Sequence, residues 1–254
     1  RLWDENDVRR MAPIADAVHA HGALAGVELA HTGIGFANRY TREVPLGPSH
    51  QVSIYNYDPM QARAMDKSDI KEFRRWQVDA AKRARSAGFD IVYVYAGESN
   101  FALPMNFLSR RRNFRTDEYG GSLENRTRLL REMIEDTKEA VGDTCAVALR
   151  IALKEFVGPM GIESEAKEIV EILAELPDLW DVNVSDWQYD SAPSRFDGEA
   201  HQEPYIDFVK QMTSKPVVGV GRFTSPDTMV SQIKRGVLDL IGAARPSIAD
   251  PFLP

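Results

Sequence analysis

The chain has 254 residues, a length that suits one large α/β domain or two small ones. Its hydrophobic content of 43% is ordinary for a soluble globular protein, and its formal net charge is −7. The acidic balance, with Arg110-Arg111-Arg112 as the densest basic run, excludes an extended nucleic-acid or anionic-membrane surface, because both need clustered lysine and arginine. No apolar run approaches the roughly 20 residues of a membrane span, and Cys145 as the only cysteine favours a reducing, cytoplasmic location.

Apolar periodicity and helix-capping residues predict that strands and helices alternate six times along the chain. The predicted strands are residues 24–29, 89–95, 145–151, 180–184, 216–220 and 238–241. The predicted helices follow the caps Asp4, Ser68, Ser122 and Ser164, and two more begin at Tyr205 and Pro226. Residues 30–67 form a long segment punctuated by proline and glycine, a type that in compact domains is usually functional or mobile.

The predicted strands are near-continuous apolar runs, which indicates a parallel sheet covered by helices. This pattern fits both an open doubly wound sheet and a barrel. No Gly-x-Gly-x-x-Gly motif follows a strand, which disfavours the nucleotide-binding open sheet. No linker, long repeat or low-complexity segment divides the chain, so residues 1–254 are predicted to form one domain.

Polar or charged residues follow every predicted strand at its C-terminal end. In chain order they are Glu28, Tyr95 with Glu98, Arg150, Trp187 with Asp190, Gly221 with Arg222, and Ala244 with Arg245. A barrel gathers such residues on the one face where active sites of that fold lie. One charged residue after a strand means little, because loops are polar, but six in succession predict a site.

The last two strands each end in a small residue followed by an arginine, Gly221-Arg222 and Ala244-Arg245. Small residues let backbone N–H groups approach an anion, and arginine adds a bidentate charged donor. Barrels commonly bind phosphate after their seventh and eighth strands. The two pairs therefore predict a phosphate site and identify the six strands as the third to the eighth. The alternative is glycine for tight turns and arginine for solvent.

The sequence resembles the old yellow enzyme-like NADH:flavin oxidoreductases, and within them the trimethylamine and dimethylamine dehydrogenases. The resemblance covers essentially the whole chain. It rests on residues 22–29, 90–95, 115–126, 178–181, 193–196, 215–222 and 242–254. It implies an FMN-binding TIM (β/α)8 barrel, of which this chain carries about six βα units and is truncated at both ends. It also implies a larger parent protein with a 4Fe-4S cluster in its C-terminal part.

The resemblance assigns the cofactor contacts residue by residue. Glu28 would accept a hydrogen bond from the flavin N3–H, and Arg150 would lie near the N1/C2 carbonyl edge. A cation there stabilises the negative charge that reduction brings to the flavin. The phosphate would be held by Gly221, Arg222, Ala244 and Arg245. The alternative for Arg150 is an ordinary arginine at a strand end.

For the substrate, the resemblance assigns Tyr95 and Asp190 to a hydrogen-bonded catalytic group and Trp187 to the aromatic wall that holds an alkylammonium cation. The position where the family has its active-site histidine is Glu98 here. A glutamate adds negative charge beside Asp190, which either attracts a cationic substrate or leads to a shared proton. Glu98 is accordingly predicted to be both catalytic and substrate-binding. The alternative is a solvent-facing loop carboxylate.

The leading hypothesis is an FMN-dependent oxidoreductase that oxidises a small methylated or cationic amine by hydride transfer to flavin N5. One alternative is an NAD(P)H-dependent ene-reductase of the same family, with Tyr95 as the proton donor to an activated alkene. The other is an inactive fragment with a structural role only. For the full-length parent the resemblance implies a flavoprotein or quinone as electron acceptor and a homo-oligomer. The chain has no zinc or calcium motif, so no metal site is predicted in it.

Overall fold

Six parallel strands form the main sheet of the protein. The computed structural model describes residues 2–38, 40–52, 61–156, 158–185, 187–190 and 196–253, with only the backbone of residues 187 and 188. The strands are β1 Gly26–Leu29, β2 Leu46–Gly47, β3 Gln51–Val52, β4 Gln61–Ala64, β5 Ile91–Ala96, β6 Ala146–Ala152, β7 Leu179–Asn183, β8 Val217–Gly219 and β9 Leu240–Ile241. The helices are α1 Glu5–His19, α2 Lys67–Ser86, α3 Leu103–Leu108, α4 Leu123–Val141, α5 Ala166–Leu173, α6 Trp187–Asp190, α7 Glu203–Ile206, α8 Pro226–Lys234 and α9 Ala244–Ala249.

The main sheet has the strand order β1-β5-β6-β7-β8-β9, so each strand pairs with the next one of the sheet along the chain. All five pairings are parallel. This is the strand order of six consecutive βα units of a TIM barrel, whereas a doubly wound open sheet reverses its strand order part-way. Within the described ranges, no helix is long and apolar enough to cross a membrane.

The strands have two unlike faces, as β5 shows. Val92, Val94 and Ala96 are fully buried beneath the helices, whereas Tyr93 and Tyr95 alternate with them and are half-buried on the opposite face. Side chains alternate across a strand, and neighbouring parallel strands keep this alternation in register. The face of Tyr93 and Tyr95 is called the inner face below.

The helix-covered side holds much of the apolar core. Leu129, Leu130, Met133 and Ile134 of α4 are at most 1% exposed, as their helical spacing predicted. Burial of one such side chain stabilises the fold by about 1.5–3 kcal/mol. Helices α2 and α4 pack side by side on this side of the sheet.

Two of the predicted helix caps are confirmed and two are wrong. The side chain of Asp4 accepts hydrogen bonds from the first turn of α1, and that of Ser122 accepts one from the first turn of α4. Helix α2 instead starts at Lys67, and Asp66 caps it, since a carboxylate there forms a reciprocal capping box with Asp69. Ser164 ends a 3₁₀ turn that precedes α5 and does not cap that helix.

Other differences lie in the loops. The helix predicted from Tyr205 is broken into α7, which starts at Glu203, and a separate 3₁₀ turn, Val209–Gln211. The long segment before α2 contains the three short strands β2, β4 and β3. Helices α3, α6 and α9 were not predicted. Residues 193–195 of the family segment 193–196 lie outside the described residues.

Candidate active site

The C-terminal ends of β1, β5, β6 and β7 bring a group of charged and aromatic side chains together on the inner face. Tyr95 is in register with Arg150, and Arg150 is in register with Asp181. Glu28 is in register with Tyr93, which lies two residues before Tyr95 and on the same face of the sheet. Because partners in parallel strands point the same way, the sheet itself sets these residues side by side.

Arg150 is the centre of this group. Its Nη1 donates to both carboxylate oxygens of Asp181 at 2.9 Å. Its Nε lies 3.5 Å from Glu28 Oε1, and its Nη2 lies 4.0 Å from Asp190 Oδ2. The Arg150 side chain is only 18% exposed, so one largely buried guanidinium is surrounded by three carboxylates.

Burial raises the pKa of Asp181 and of Glu28, and the Arg150 guanidinium opposes that rise in both. Burial also disfavours the charge of Arg150, but the neighbouring carboxylates outweigh it and raise the pKa of Arg150. Arg150 is therefore always cationic. Three carboxylates against one cation give the site an excess of negative charge, which favours a cationic ligand.

Gly97, directly after β5, makes room for Arg150. A Cβ atom at this position would lie 3.0 Å from Arg150 Cγ and 3.1 Å from its Nε. The arginine side chain therefore crosses the backbone just beyond the strand, where any larger residue would displace it. Sequence reasoning assigned no role to Gly97 or to Asp181. The signal for Asp181 was a charged residue inside the apolar run Trp180 to Val184.

Tyr95 lies beside this charged group. Burial raises the pKa of Tyr95 to about 12, and the carboxylates of Glu28, Glu98 and Asp190 add to that rise against the opposing effect of Arg150. The phenol of Tyr95 is consequently protonated near neutral pH. It can donate a hydrogen bond there but cannot act as a base.

Glu98 and Asp190 approach the same region from two loops. Glu98 is 2% exposed and accepts hydrogen bonds from Ser185 Oγ at 2.9 Å and from the Asn100 N–H at 3.1 Å. Its alternative assignment to solvent is therefore wrong. Asp190, the last residue of α6, is held by Gln202, whose Nε2 donates to Asp190 Oδ1 at 3.0 Å. Trp187 opens α6, but its side chain lies outside the described residues.

The loops after β8 and β9 are neighbours because these strands pair. Arg222 has a φ of 58°, a left-handed conformation that is uncommon for a non-glycine residue and clusters at functional sites. Its Nη1 donates to the carbonyl oxygen of Asp197. Ala244 and Arg245 are exposed and open α9. The N–H groups of a first helical turn have no partner inside the helix, and anions commonly bind to them.

His31, just beyond β1, belongs to the packing around α2. Its ring lies edge-on to Phe73 and stacks on Trp76, with centroid distances of 5.4 Å and 6.3 Å. Its Nδ1 accepts a hydrogen bond from the Gly33 N–H at 3.0 Å. Burial lowers the pKa of His31 to about 4, so the ring is neutral at physiological pH.

Comparison with known proteins identifies the family. The NADH:flavin oxidoreductase / NADH oxidase family matches residues 1–254, the whole chain. The chain belongs to this family. The predicted resemblance is thereby confirmed, and with it the enzyme class of FMN-dependent oxidoreductases.

Two solved structures are similar over the whole chain. The 6-hydroxypseudooxynicotine amine oxidase (HisD) of Pseudomonas geniculata N1 has a TM-score of 0.96 and 58% identity, and 38% of that chain is covered. The histamine dehydrogenase of Rhizobium sp. 4-9 has a TM-score of 0.95 and 54% identity, with 37% covered. The dimethylamine dehydrogenase of Hyphomicrobium sp. (strain x) is 42% identical over 264 residues, with 36% covered. The chain thus spans less than two fifths of each of these relatives.

The residues on the inner face fit FMN, the cofactor of this family. The polar edge of the flavin ring needs an acceptor for its N3–H and a cation near its N1/C2 carbonyl, and Glu28 and Arg150 offer these 3.5 Å apart. The phosphate needs N–H donors and arginines, which the loops with Arg222 and Arg245 provide. Gly221 is buried, and its carbonyl accepts from the Ala200 N–H at 2.7 Å, which fixes the backbone of that loop.

Proposed function

We propose that the protein is an FMN-dependent amine dehydrogenase that oxidises a small methylated or cationic amine. The observation that carries this proposal is the excess of carboxylates around Arg150 at the strand ends, with the buried Glu98 close by. Such a site favours a cation over a neutral or anionic ligand. The names of the three relatives above, an amine oxidase and two amine dehydrogenases, support the same substrate class.

Six residues would hold the cofactor in this proposal. Glu28 and Arg150 would meet the pyrimidine edge of the flavin, and Gly221, Arg222, Ala244 and Arg245 would hold its phosphate. When bound, FMN supplies the hydride acceptor, its N5 atom, for the carbon next to the amine nitrogen. The cation of Arg150 would stabilise the added negative charge without rearrangement, because Asp181 already fixes its position.

The substrate cation would lie between Asp190, Glu98 and Trp187. Two carboxylates would face its charge, and an aromatic face adds roughly 0.5–2 kcal/mol of attraction. Tyr95, protonated at neutral pH, would orient the substrate by accepting a hydrogen bond from its ammonium N–H on the phenol oxygen. Glu98 strengthens the preference for a cation because it brings a carboxylate where the family has an imidazole.

The whole protein would pass its electrons onward through a 4Fe-4S cluster to a flavoprotein or quinone acceptor, as a homo-oligomer. An iron–sulfur cluster takes several cysteine thiolates, and Cys145 is the only cysteine of this chain and is 6% exposed. The cluster would consequently be held by a part of the protein other than residues 1–254.

One observation favours a second candidate function. A tyrosine with a pKa of about 12 is protonated at physiological pH, as a proton donor to an activated alkene must be. An NAD(P)H-dependent ene-reductase would use Tyr95 in that way. The carboxylates around Arg150 count against it, because an excess of negative charge repels the phosphates of NADPH.

Anaerobic mixing of the flavin-loaded protein with substrates separates these functions by flavin absorbance. We expect bleaching by small methylated or primary alkylamines but not by isosteric alcohols or by NADPH. Bleaching by NADPH, with recovery on addition of an activated alkene, would support the ene-reductase. A protein that binds no FMN would leave only the structural role.

A matched pair of variants links the activity to the site. Asp190→Asn keeps the Oδ1 acceptor for Gln202 but removes the charge that faces the substrate. We expect the KM for the amine to rise about tenfold, which corresponds to 1.4 kcal/mol. Asp143→Asn, an exposed residue in the 3₁₀ turn before β6, is the control and should not change KM. Equal KM values in both variants would remove Asp190 from the substrate site.

A further inference from the structure

Residues 197–202 lie between the two halves of the site. On one side is the loop after β8, residues 221–225, which is assigned to the flavin phosphate and is called the phosphate loop below. On the other side is Asp190, at the end of α6, which is assigned to the substrate cation. Residues 197–202 make hydrogen bonds to both sides, and they are called the connecting segment below.

The Glu199 carboxylate attaches the connecting segment to the end of the phosphate loop. Its Oε1 accepts a hydrogen bond from the Ser225 N–H at 2.7 Å and further bonds from the N–H and the hydroxyl of Thr224. Ser225 is the N-cap residue of α8. The connecting segment is thereby held at the start of a helix of nine residues.

The backbones of the two segments approach closely at Ala200 and Gly221. The Ala200 N–H donates to the Gly221 carbonyl at 2.7 Å, and a Cβ atom at Gly221 would lie 3.0 Å from Ala200 Cα. Ala200 and Arg222 have φ values of 60° and 58°, in the left-handed region. Residues other than glycine persist in this conformation only where surrounding contacts hold them there. The contacts between the two segments therefore maintain a strained backbone on both sides.

Arg222 connects the phosphate loop to the first residue of the connecting segment. Its Nη1 donates to the Asp197 carbonyl. A guanidinium has five N–H donors in a planar fork, so one arginine can hold this carbonyl and a phosphate group at the same time. A phosphate bound by Arg222 would consequently restrain Asp197 as well.

Gln202 connects the other end of the segment to Asp190. The Gln202 side chain is fully buried, and its Oε1 accepts from the Val184 N–H, directly after β7, at 3.1 Å. Its Nε2 donates to the Asp190 carbonyl at 3.1 Å and to Asp190 Oδ1 at 3.0 Å. Because a backbone N–H can only donate and a carboxylate can only accept, the amide has one orientation. Gln202 thus fixes the direction of the Asp190 carboxylate relative to the sheet.

We propose that the connecting segment couples FMN binding to cation binding: a phosphate held by Arg222 restrains residues 197–202, and Gln202 thereby holds Asp190 in the orientation that faces the substrate cation. Without the phosphate, the left-handed residues relax and Asp190 loses its fixed direction. The two ligands then strengthen each other, each raising the affinity for the other by the same factor. Gln202 is thus a positioning residue, in a role that rests on the proposed amine oxidation.

Titration of tetramethylammonium into the protein loaded with FMN, or with riboflavin, which lacks the phosphate, tests the coupling. This cation has no lone pair on nitrogen and cannot be oxidised to an iminium, so flavin absorbance reports its binding alone. We expect its Kd to be about fivefold lower with FMN than with riboflavin. Equal Kd values in the two forms would overturn the coupling. Binding to neither form would contradict the cation site of the proposed function, and the coupling with it.

Variants in the connecting segment distinguish its effect from simple attraction between the phosphate and the cation. Gln202→Met keeps the length of the side chain but removes its bonds to Asp190, and Glu199→Ala releases the segment from the phosphate loop. Both should bring the ratio of the two Kd values close to one. Asp207→Ala, which removes one exposed carboxylate after α7, is the charge-matched control and should keep the ratio of the unaltered protein.

Glu199→Ala decides if Gln202→Met does not fold, because Glu199 lies at the surface and is only partly buried. An unreduced ratio in Glu199→Ala would show that the charge of the phosphate, and not the connecting segment, favours the cation, and it would overturn the proposal. Linkage supplies a second measurement on the same variants: saturating tetramethylammonium should lower the Kd for FMN by the same factor in the unaltered protein and in Asp207→Ala only.

Discussion

Replacing Arg150 with glutamine tests the centre of the site. The change keeps a polar side chain of similar reach but removes the positive charge and the two contacts to Asp181 at 2.9 Å. Asp181, 11% exposed at its side chain, is then left as a buried carboxylate without a cation. Glu28 and Asp190 lose the same neighbour.

Two separate losses follow from this change. Removing one partner of a buried ion pair costs about 3–5 kcal/mol of stability, and we expect the lower end because the Arg150 side chain is 18% exposed. Loss of a charge-assisted hydrogen bond to the cofactor costs about 1.5–3 kcal/mol. The second figure corresponds to roughly a 10- to 100-fold rise in the Kd for FMN.

A double variant separates the two effects. Arg150→Gln with Asp181→Asn removes the unpaired charge, so the free energy of unfolding should recover most of its loss, whereas FMN affinity should not recover. Denaturant unfolding and equilibrium FMN titration measure the two quantities on the same samples. Arg150→Lys is the charge-conserving control and should lie between the single variant and the unaltered protein.

An unchanged affinity for FMN together with an unchanged rate of flavin reduction in Arg150→Gln would contradict a cofactor role for Arg150. Arg150 would then be a structural partner of Asp181 and no more. Recovery of FMN affinity in the double variant would indicate the same, because it would show that the single variant acts through misfolding of the strand ends.

Three further predictions concern His31 beside α2, the two arginines assigned to the phosphate, and Tyr95. Because burial lowers the pKa of His31 to about 4, the unfolded chain binds a proton that the folded chain does not. The free energy of unfolding should consequently fall by about 2 kcal/mol between pH 7 and pH 5, and this fall should be absent in His31→Phe when both are measured by denaturant titration. Arg222→Ala and Arg245→Ala should each weaken FMN binding about tenfold but leave riboflavin binding unchanged, because an arginine–phosphate bond is the contact removed; equal weakening of both ligands would contradict a phosphate role. Tyr95→Phe should slow amine-dependent flavin reduction about tenfold without altering the shape of its pH profile from 6 to 10, since the phenol, with a pKa of about 12, does not titrate there.

The regular part of the fold was predictable because local chemistry determines it. The apolar strands and the amphipathic helices between them occur in the structure where the sequence predicted them. Asp4 and Ser122 cap their helices as predicted. Where two capping residues stood close together, the sequence was ambiguous. Asp66 caps α2 in place of Ser68 because Asp69 forms a reciprocal capping box with it. The position of the cap therefore depends on Asp69 and not on the two candidate caps alone.

The elements that were missed depend on distant contacts. Helix α3 has six residues, all buried, and its short sequence carries no polar face to mark it as helical. It is held from outside, since the Leu103 N–H donates to the carbonyl of His31 and the Asn106 side chain accepts from the Ile34 N–H at 3.1 Å. No pattern within the helix itself could indicate these partners.

The sequence predicted which residues lie at the strand ends, but it did not predict which of them contact one another. Glu28, Arg150 and Asp190 were named from their positions, and the structure brings them together. Asp181 was not predicted as a site residue, because a single acidic residue in an apolar strand gives no indication of the cation that it pairs with. The hydrogen bond from Ser185 to Glu98 was not predicted because it joins the loops after β7 and β5, which come together only in the folded sheet.

A crystal structure of the flavin-loaded protein with a bound alkylamine would show whether FMN and the amine contact the residues assigned to them. We expect the pyrimidine edge of FMN to contact Glu28 and Arg150, and its phosphate to contact Arg222 and Arg245. We expect the amine nitrogen to lie within hydrogen-bonding distance of Asp190 or Glu98. An FMN whose pyrimidine edge lies away from Arg150, or an amine nitrogen that contacts neither carboxylate, would contradict these assignments.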